Sequence, residues 1–328
     1  MENLIARVIA EYKGAYKVKI EDKEYLVRVT GEKMFNARSR EEYPSVGDFV
    51  ELDESKALIL NILPRKTIIK RKYNNRNEVQ VIATNIDVAF IVESINEDFS
   101  LNRFERYFAI AKDGGVKPVI ILNKIDLISE EELLLKISQI KERFKDIDIV
   151  TVSTVLKTGI ETLRAYIEKG KTYCFLGSSG VGKSSLINEL LNKKQIKTNT
   201  ISSYKDRGKH TTTSRQMYFL EEGGIVIDNP GMREIGMAET KKGIDDFFEK
   251  ISLLAKDCKY NDCKHISEKG CRVLLALENG ELDKEQYSNY LNLKKEEEYF
   301  EMNKYEKREK DRRFGKLVKR VKKDLENL

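Results

Sequence analysis

Long apolar runs are absent from this sequence of 328 residues, and cysteine and histidine are scarce. No stretch approaches the roughly 18 consecutive apolar residues that a membrane-spanning helix needs. The first ten residues already include Glu2 and Arg7 and lack the apolar core of a signal peptide. We therefore expect a cytoplasmic protein without a membrane partner. In a reducing cytosol, the four cysteines predict core residues, metal ligands or reactive thiols rather than disulfides.

Internal repeats and low-complexity segments are also absent, so the length predicts two or three ordinary globular domains. Hydrophobic residues make up 40% of the chain and charged residues 35%, enough for buried cores beneath a heavily charged surface. The net charge of +6 favours a polyanionic partner without identifying one. Residues 304–328 hold 11 Lys or Arg against 5 Asp or Glu, and this basic tail could be a solvated helix face or lie along a phosphate backbone.

Residues 1–66 show the alternation of apolar and polar side chains that is typical of β-strands. Tyr16, Val18 and Ile20 alternate with charged residues, and a second alternating run follows a polar turn. Short strands at this spacing, with no good helix, predict an OB-like β-barrel. Such a barrel could bind RNA or serve only protein contacts, and the pattern favours neither. The basic residues in 64–72 predict a linker to the next domain.

Residues 67–240 change to apolar strands that alternate with amphipathic helices. This alternation predicts an α/β domain with a mostly parallel sheet covered on both faces. Ser129 and Glu132 form the sequence pattern of a capping box at the start of one helix. The predicted strands cover 86–92, 119–122, 147–152, 172–176 and 225–227, and the predicted helices cover 102–112, 129–144, 161–168 and 183–191.

A complete phosphate-loop motif, G-x-x-x-x-G-K-[ST], lies between a predicted strand and a predicted helix. Its glycines let backbone N–H groups curl around phosphate oxygens, which the helix N-terminus also attracts. We expect Lys183 to reach the β- and γ-phosphates and the Ser184 hydroxyl to bind Mg²⁺. A glycine-rich turn without a ligand is the alternative. The predicted phosphate site comprises Gly177, Ser178, Ser179, Gly180, Val181, Gly182, Lys183, Ser184 and Ser185.

The tetrapeptide Asn123-Lys124-Ile125-Asp126 matches the N-K-x-D signature of guanine recognition. The Asp126 carboxylate can accept the N1–H and the N2 amine of guanine. Adenine offers neither donor at these positions and would leave the carboxylate unpaired. We expect Asn123 to brace the loops and the Lys124 stem to cover the base. Ser153 fits the supporting guanine loop, although Thr154 replaces the usual Ala.

The order of these motifs is circularly permuted, because N-K-x-D precedes the phosphate loop whereas it follows in Ras-like GTPases. The switch motifs come next. Thr212 and Thr213 are candidates for Mg²⁺ and the γ-phosphate, Asp228 for Mg²⁺ through water, and the Gly231 N–H for sensing the γ-phosphate. Because this sensor leads directly into the C-terminal domain, we expect hydrolysis to reorient that domain.

The predicted reaction centre lacks the water-orienting Gln that follows D-x-x-G in Ras-like enzymes. Met232 occupies that place and can neither accept nor donate a hydrogen bond usefully. Another group must orient the water, and His210 in the switch region is the best internal candidate. The catalytic residues are therefore predicted to be Lys183, Asp228 and His210. A histidine that contacts only RNA or solvent is the alternative.

Residues 241–328 are predicted to be helical around a dense cluster of cysteines and one histidine. Cys258, Cys263, His265 and Cys271 could close a tetrahedral Zn²⁺ site without an open position, which is typical of a structural ion. Coincidental core cysteines are the alternative. Cys174 lies on the strand before the phosphate loop and is expected to be a core residue.

Together these features resemble the RsgA (YjeQ/YloQ) family over essentially the whole chain. The resemblance rests on the barrel, the order N-K-I-D, G-S-S-G-V-G-K-S, G-K-H-T-T-T and D-N-P-G, and the Cys/His cluster. It implies a late factor in maturation of the small (30S) ribosomal subunit, whose GTPase activity the subunit stimulates. The barrel, zinc domain and basic tail would then contact ribosomal RNA. Asn229 departs from the family's usual Thr, and we expect it to contact little.

Two other functions stay open on the residues alone. The first is a GTP-dependent regulator of a protein partner, and the second is a non-catalytic RNA-binding protein that holds nucleotide as a structural ligand. Met232 supports the second, whereas the intact Lys183 and Asp228 oppose it. Both predict no stimulation of GTP turnover by ribosomal subunits, and nucleotide-dependent affinity would separate them. We expect a monomer with no DNA partner.

Overall fold

The alternating N-terminal residues form a closed five-stranded barrel in the structure, a computed structural model. The strand order is β1-β2-β3-β5-β4, and β4 pairs back to β1. Buried valines and Ile59 fill the barrel, which confirms the predicted OB-like architecture. The structure describes residues 4–37, 39–53, 57–72, 78–96, 99–192, 196, 215–229, 236–237, 239–303, 305–312, 315 and 318. The barrel strands are β1 (Leu4–Tyr12), β2 (Ala15–Ile20), β3 (Lys23–Val29), β4 (Phe49–Asp53) and β5 (Leu58–Ile62).

Two expectations for the N-terminal region are wrong. A short helix, α1 (Gly31–Asn36), connects β3 to β4 where no helix was predicted. The second half of the predicted basic linker is strand β6 (Ile68–Lys72), which pairs antiparallel with β7 (Val79–Thr84). Ile69 holds β6 against the core because its side chain is completely buried. Since its neighbours in sequence are mostly basic, this single buried position gives no clear strand pattern.

The central sheet has the order β10-β9-β8-β11-β13-β12. The first five strands are parallel, and β12 runs antiparallel to β13. Parallel strands with both faces covered are predicted by continuous apolar runs, as in the fully buried β8. The strands are β8 (Val88–Ser94), β9 (Lys117–Asn123), β10 (Ile149–Val152), β11 (Thr172–Leu176), β12 (Gln216–Phe219) and β13 (Ile225–Asp228).

Helices cover both faces of this sheet, so that successive residues of β8 enter different cores. Ala89 and Ile91 pack in one buried cluster, and Phe90 packs in the other, as the two-residue period of a strand requires. The predicted capping box is confirmed, because the Ser129 hydroxyl accepts from Glu132 N–H and the Glu132 carboxylate accepts from Ser129 N–H. The helices are α2 (Leu101–Asp113), α3 (Glu130–Arg143), α4 (Ile160–Tyr166) and α5 (Lys183–Leu190).

The C-terminal region is helical, as predicted, and packs against α2 of the central domain. Arg106 on α2 forms a bidentate ion pair with Glu296, and Asn289 donates to the buried Glu105 carboxylate. The helices are α6 (Lys241–Phe247), α7 (Glu249–Ala255), α8 (Arg272–Glu278) and α9 (Lys284–Glu301). Most of the predicted basic tail lies outside the described residues.

The barrel is joined to the central sheet through backbone pairing and one partly buried arginine. Ala10 on β1 pairs with Gln216 on β12. The Arg7 guanidinium donates to the Asn85 carbonyl at 3.2 Å and to the Thr172 hydroxyl at 2.8 Å. Within the part of the chain that the structure describes, no helix has the length and apolar character to cross a membrane.

Candidate nucleotide and metal sites

The phosphate loop connects β11 to α5 at the carboxyl ends of the parallel strands, where open α/β sheets bind ligands. Gly177 has a φ of +146°, and a Cβ there would lie 2.3 Å from the Val92 carbonyl oxygen. Gly182 has a φ of +97°, and its Cβ would lie 2.3 Å from Asn123 Nδ2. Both glycines are therefore required by backbone conformation and by the close approach of a neighbour.

Lys183 begins α5 and turns its ammonium back into the loop. Its Nζ donates to the carbonyl oxygens of Gly177 and Ser178, both at 2.7 Å. Burial lowers the pKa of Lys183 to about 8, although the Asp228 and Glu93 carboxylates act in the opposite direction. The lysine is thus a nearly buried cation at the place where the motif predicts phosphate.

The residues predicted to recognise guanine converge on the phosphate loop and on each other. Asn123 Nδ2 donates to the Val181 carbonyl at 2.8 Å, and Lys124 Nζ donates to the Gly180 carbonyl at 2.6 Å. Ser153, which is fully buried, donates from Oγ to Asp126 Oδ1 at 2.5 Å. This bond orients the carboxylate and leaves Oδ2 for another donor.

Asp228 lies at the end of β13, beside the phosphate loop, and is 3% exposed. Burial raises its pKa to about 6, while Lys183 and the Asn229 backbone N–H lower it. Its Oδ1 is buried without a protein partner. An unpaired buried carboxylate oxygen is costly unless a ligand or water completes it, so this atom fits a water-mediated contact with a cation.

The expectation that Asn229 contacts little is wrong. The side chain is 1% exposed, and its Nδ2 donates to the Cys174 thiol at 3.0 Å. Burial raises the pKa of Cys174 to about 12, so this cysteine is the protonated core residue that the sequence predicts. The sequence pattern alone could not reveal the contact, because the two residues are neighbours only through the pairing of β11 with β13.

Several predicted site residues lie outside the part of the chain that the structure describes. The four serines of the predicted phosphate site are described: Ser178, Ser184 and Ser185 are partly buried, and Ser179 is exposed. The residues outside the described ranges are His210, Thr212, Thr213, Gly231 and Met232.

The four predicted zinc ligands meet at one point of the C-terminal region, with all ligand atoms within 4.8 Å of one another. His265 Nδ1 lies 3.4 Å from Cys271 Sγ and 3.6 Å from Cys258 Sγ, and these two sulfurs are 3.8 Å apart. A tetrahedral zinc ion with zinc–sulfur distances of about 2.3 Å places its ligand atoms about 3.8 Å apart. The predicted Cys₃His cluster is therefore confirmed as a group that can hold zinc.

Hydrogen bonds from the chain support the ligands of this cluster. Burial acts to raise the pKa of Cys258, but the backbone N–H groups of Arg272 and Val273, together with the Cys271 and Cys263 thiols, lower it below its ordinary value. The Leu274 N–H points to Cys271 Sγ at 3.4 Å. Thiolates are the form that binds zinc, so these donors favour the charged form of Cys258, whereas burial raises the pKa of Cys271 to about 11.

Comparison with known families agrees with this geometry. A family model described as RsgA GTPase matches residues 62–238, and a second, described as 50S ribosome-binding GTPase, matches residues 172–305. The first match covers more than half of the chain. The chain belongs to the RsgA GTPase family. The predicted family and GTPase function are thereby confirmed, and the second match begins at the strand that leads into the phosphate loop.

Relatives of the RsgA family align over nearly the whole chain. "Small ribosomal subunit biogenesis GTPase RsgA 1" of Bacteroides thetaiotaomicron is 41% identical over 327 residues, which is 98% of this chain and 91% of the relative. "Small ribosomal subunit biogenesis GTPase RsgA 2" of Listeria monocytogenes is 42% identical over 293 residues, which is 89% of this chain and 83% of the relative.

Two solved structures share the architecture. YjeQ from Thermotoga maritima superposes with a TM-score of 0.62 at 26% identity, covering 89% of this chain and 97% of that one. YloQ, described as a circularly permuted GTPase, superposes with a TM-score of 0.59 at 22% identity, covering 92% and 97%. The YloQ likeness shows the fold alone. The predicted fold class, a permuted GTPase domain between a barrel and a Cys₃His region, is confirmed.

Proposed function

We propose that this GTPase acts in biogenesis of the small ribosomal subunit, which stimulates its hydrolysis of GTP. The observation that supports this most directly is the meeting of Lys183, Asp228 and the N-K-x-D residues at the carboxyl ends of β11, β13 and β9. The RsgA relatives, named for this process, extend the proposal from the reaction to the ribosome.

In the proposed complex, Asp126 accepts the two guanine donors while Ser153 and Asn123 hold the loops in register. The contacts of Ser153 Oγ with Asp126 and of Asn123 with Val181 support these roles. The Lys124 stem covers the base. Residues 177–185 enclose the phosphates, and Lys183 exchanges its two carbonyl partners for phosphate oxygens.

Mg²⁺ is proposed to bind the Ser184 hydroxyl and a threonine of the switch, Thr212 or Thr213, with Asp228 reached through water. The buried, unpaired Asp228 Oδ1 supports this arrangement. The ion would neutralise charge on the β- and γ-phosphates. We propose that Gly231 senses the γ-phosphate.

The attacking water requires a positioning group that the sequence does not supply after D-x-x-G. His210 is proposed for this role, since the Met232 thioether is too weak an acceptor to orient the water. A lysine held at the phosphates and a carboxylate directed at the cation would stabilise charge in the transition state.

The Cys₃His cluster is proposed to hold one structural zinc ion. Four protein ligands leave no position for a substrate, and the ion would order a region of short helices. Cys258, Cys263, His265 and Cys271 supply the charge and geometry that zinc prefers.

We propose three units: a barrel at 1–66, the permuted GTPase domain at 67–240 and a zinc-binding unit at 241–328. The barrel, the zinc-binding unit and the basic tail would contact ribosomal RNA, and the net charge of +6 supports a polyanionic partner. The protein would act in the cytoplasm as a monomer. Hydrolysis would reorient the zinc-binding unit, which would be contradicted by equal mobility of that unit in GTP-analogue and GDP complexes.

The proposal is tested by GTP turnover of the purified protein, alone and with isolated small ribosomal subunits. We expect a large rise with small subunits that Lys183→Ala abolishes. Lys171→Ala is the matched control, because Lys171 is a partly exposed lysine of the same domain whose ammonium pairs with the Glu168 carboxylate. Turnover that small subunits do not change would contradict the ribosomal role and favour a regulator of a protein partner.

A further inference from the structure

The loop that carries the histidine of the Cys₃His cluster is organised around the Glu268 carboxylate. Glu268 Oε1 accepts the Lys264 N–H at 2.8 Å, and Oε2 accepts the N–H groups of Ile266 at 2.8 Å and Ser267 at 3.0 Å. The Glu268 carbonyl also accepts the Cys271 N–H at 3.2 Å. A single residue therefore ties the histidine loop to the last cysteine ligand.

His265 lies in the middle of this loop with a left-handed backbone, at a φ of +59°. This conformation costs a non-glycine residue about 1 kcal/mol or more and persists only where surrounding contacts enforce it. The N–H groups of Lys264 and Ile266, on either side of His265, are both held by Glu268. On the third side, the Tyr287 hydroxyl of α9 donates to the His265 carbonyl.

The imidazole position depends on this backbone. His265 is 8% exposed, and its Nδ1 lies at the ligand distances from Cys258 and Cys271 described above. A ligand held in place before the ion arrives gives up less conformational freedom on binding, and outer contacts of this kind raise metal affinity.

We propose that Glu268 is a positioning residue of the metal site, which holds the backbone of His265 so that its imidazole meets the three thiolates. The inference rests on the proposed zinc site. It assigns a function to a carboxylate that does not itself touch the ion. Outer-shell substitutions typically lower metal affinity by 10- to 100-fold, which sets the size of the expected effect.

The test measures zinc affinity of the full-length protein by competition with a chelator of known affinity. We expect Glu268→Ala to weaken affinity by about 10- to 100-fold and Glu268→Gln by less, because the amide keeps one acceptor oxygen. Glu298→Gln is the matched control. Glu298 binds the Lys264 ammonium and none of the backbone donors that Glu268 holds. The zinc affinity of the Glu298→Gln protein should therefore stay within about twofold of wild type.

Cobalt(II) substitution separates positioning from a general loss of stability. In Glu268→Ala the visible spectrum should shift away from that of a tetrahedral Cys₃His site, and Tyr287→Phe should shift it in the same direction. If the wild-type protein bound neither zinc nor cobalt, the proposed metal site itself would be wrong. Tight wild-type binding with Glu268→Gln and Glu268→Asp unchanged in affinity and spectrum would overturn the positioning role even if Glu268→Ala did not fold.

Discussion

At the scale of single residues, the nucleotide site contains charged side chains that are buried, although charged groups ordinarily prefer solvent. Lys183 and Asp228 are nearly buried with opposite charges, and Gly182 has a backbone conformation that favours glycine. The sequence predicted these positions because each belongs to a local motif. It could not predict the contact of Asn229 with Cys174, which depends on the pairing of β11 with β13. It also missed the Glu268 carboxylate, whose backbone donors lie within four residues in sequence but belong to no motif that the pattern marks.

Nucleotide binding is expected to depend on pH through these two groups. Burial raises the pKa of Asp228 to about 6, so its carboxylate is charged, and able to support Mg²⁺, above that pH. Burial lowers the pKa of Lys183 to about 8, so its ammonium is lost above that pH. Affinity of the nucleotide-free protein for Mg²⁺–GDP should therefore be highest between these values and fall on both sides.

Equilibrium binding of labelled GDP across this window checks the expectation. Asp228→Asn has no acid to titrate, so it should bind more weakly and lose the dependence on the acid side while keeping the alkaline fall. An acid limb that is unchanged in Asp228→Asn would assign it to another group.

Gly182→Ala should impair both folding and nucleotide binding. The methyl group meets Asn123 Nδ2 at 2.3 Å and is added to a φ of +97°, so we expect destabilisation of about 2 to 3 kcal/mol and weaker guanine recognition. Gly180→Ala is the matched control, with a φ of +86° and open space around its Cβ, and should lose only about 1 kcal/mol. Urea unfolding and GDP titration measure both effects. Equal stability and equal GDP affinity of the two variants would contradict the role of the close contact at Gly182.

At the scale of elements, the sheet strands and the long helices were predictable because their apolar patterns are continuous. The β6–β7 hairpin was not, since a single buried Ile69 among basic residues resembles a linker. Strand β12 has four residues, too few for a clear period. Helix α1 has six residues, which is also short for a clear period. Elements that depend on one anchor or on pairing with a distant strand leave little periodicity in the sequence.

Helix α5, which presents Lys183 to the nucleotide, is capped at its C-terminus by one arginine. Arg164 donates to the carbonyl oxygens of Leu190 at 3.0 Å and Glu189 at 2.9 Å. Its positive charge also opposes the negative end of the helix dipole. We expect Arg164→Ala to lower the free energy of unfolding by about 1 to 2 kcal/mol.

Chemical denaturation checks this, with Lys157→Ala as the control. Lys157 pairs with Glu189 on the same helix but is largely exposed, so its loss should change stability by less than about 0.5 kcal/mol. An Arg164→Ala protein as stable as Lys157→Ala would show that the cap contributes nothing.

At the scale of the whole molecule, the barrel and the GTPase sheet form one continuous β structure. The sequence predicted both units, but not that β1 would serve the barrel and the sheet at once. Arg7 connects them through Asn85 and Thr172, and burial lowers its pKa despite the nearby Asp87. The partners are 78 and 165 residues away in sequence, so no local pattern could reveal them.

Arg7→Ala should loosen this connection without abolishing the fold of either unit. The change leaves the buried Thr172 hydroxyl without its donor, and we expect a loss of about 1 to 3 kcal/mol. Amide hydrogen exchange in β1 and β12 should accelerate more than in β9. Lys13→Ala, at the exposed turn after β1, is the control and should leave exchange unchanged. Uniform acceleration across all strands would contradict a local connection.

The pairing of β12 with β1 also decides which strand edges remain available to other chains. Unpaired strand edges are templates for edge-to-edge aggregation, which proteins avoid by covering them or keeping them short. The barrel closes on itself, and its first strand pairs with β12, at the end of the central sheet, through Ala10 and Gln216. Among the described strands of that sheet, β10 is left at the edge, and it has only four residues. Among the described strands, the barrel and the central sheet thus present little edge on which intermolecular sheets could grow.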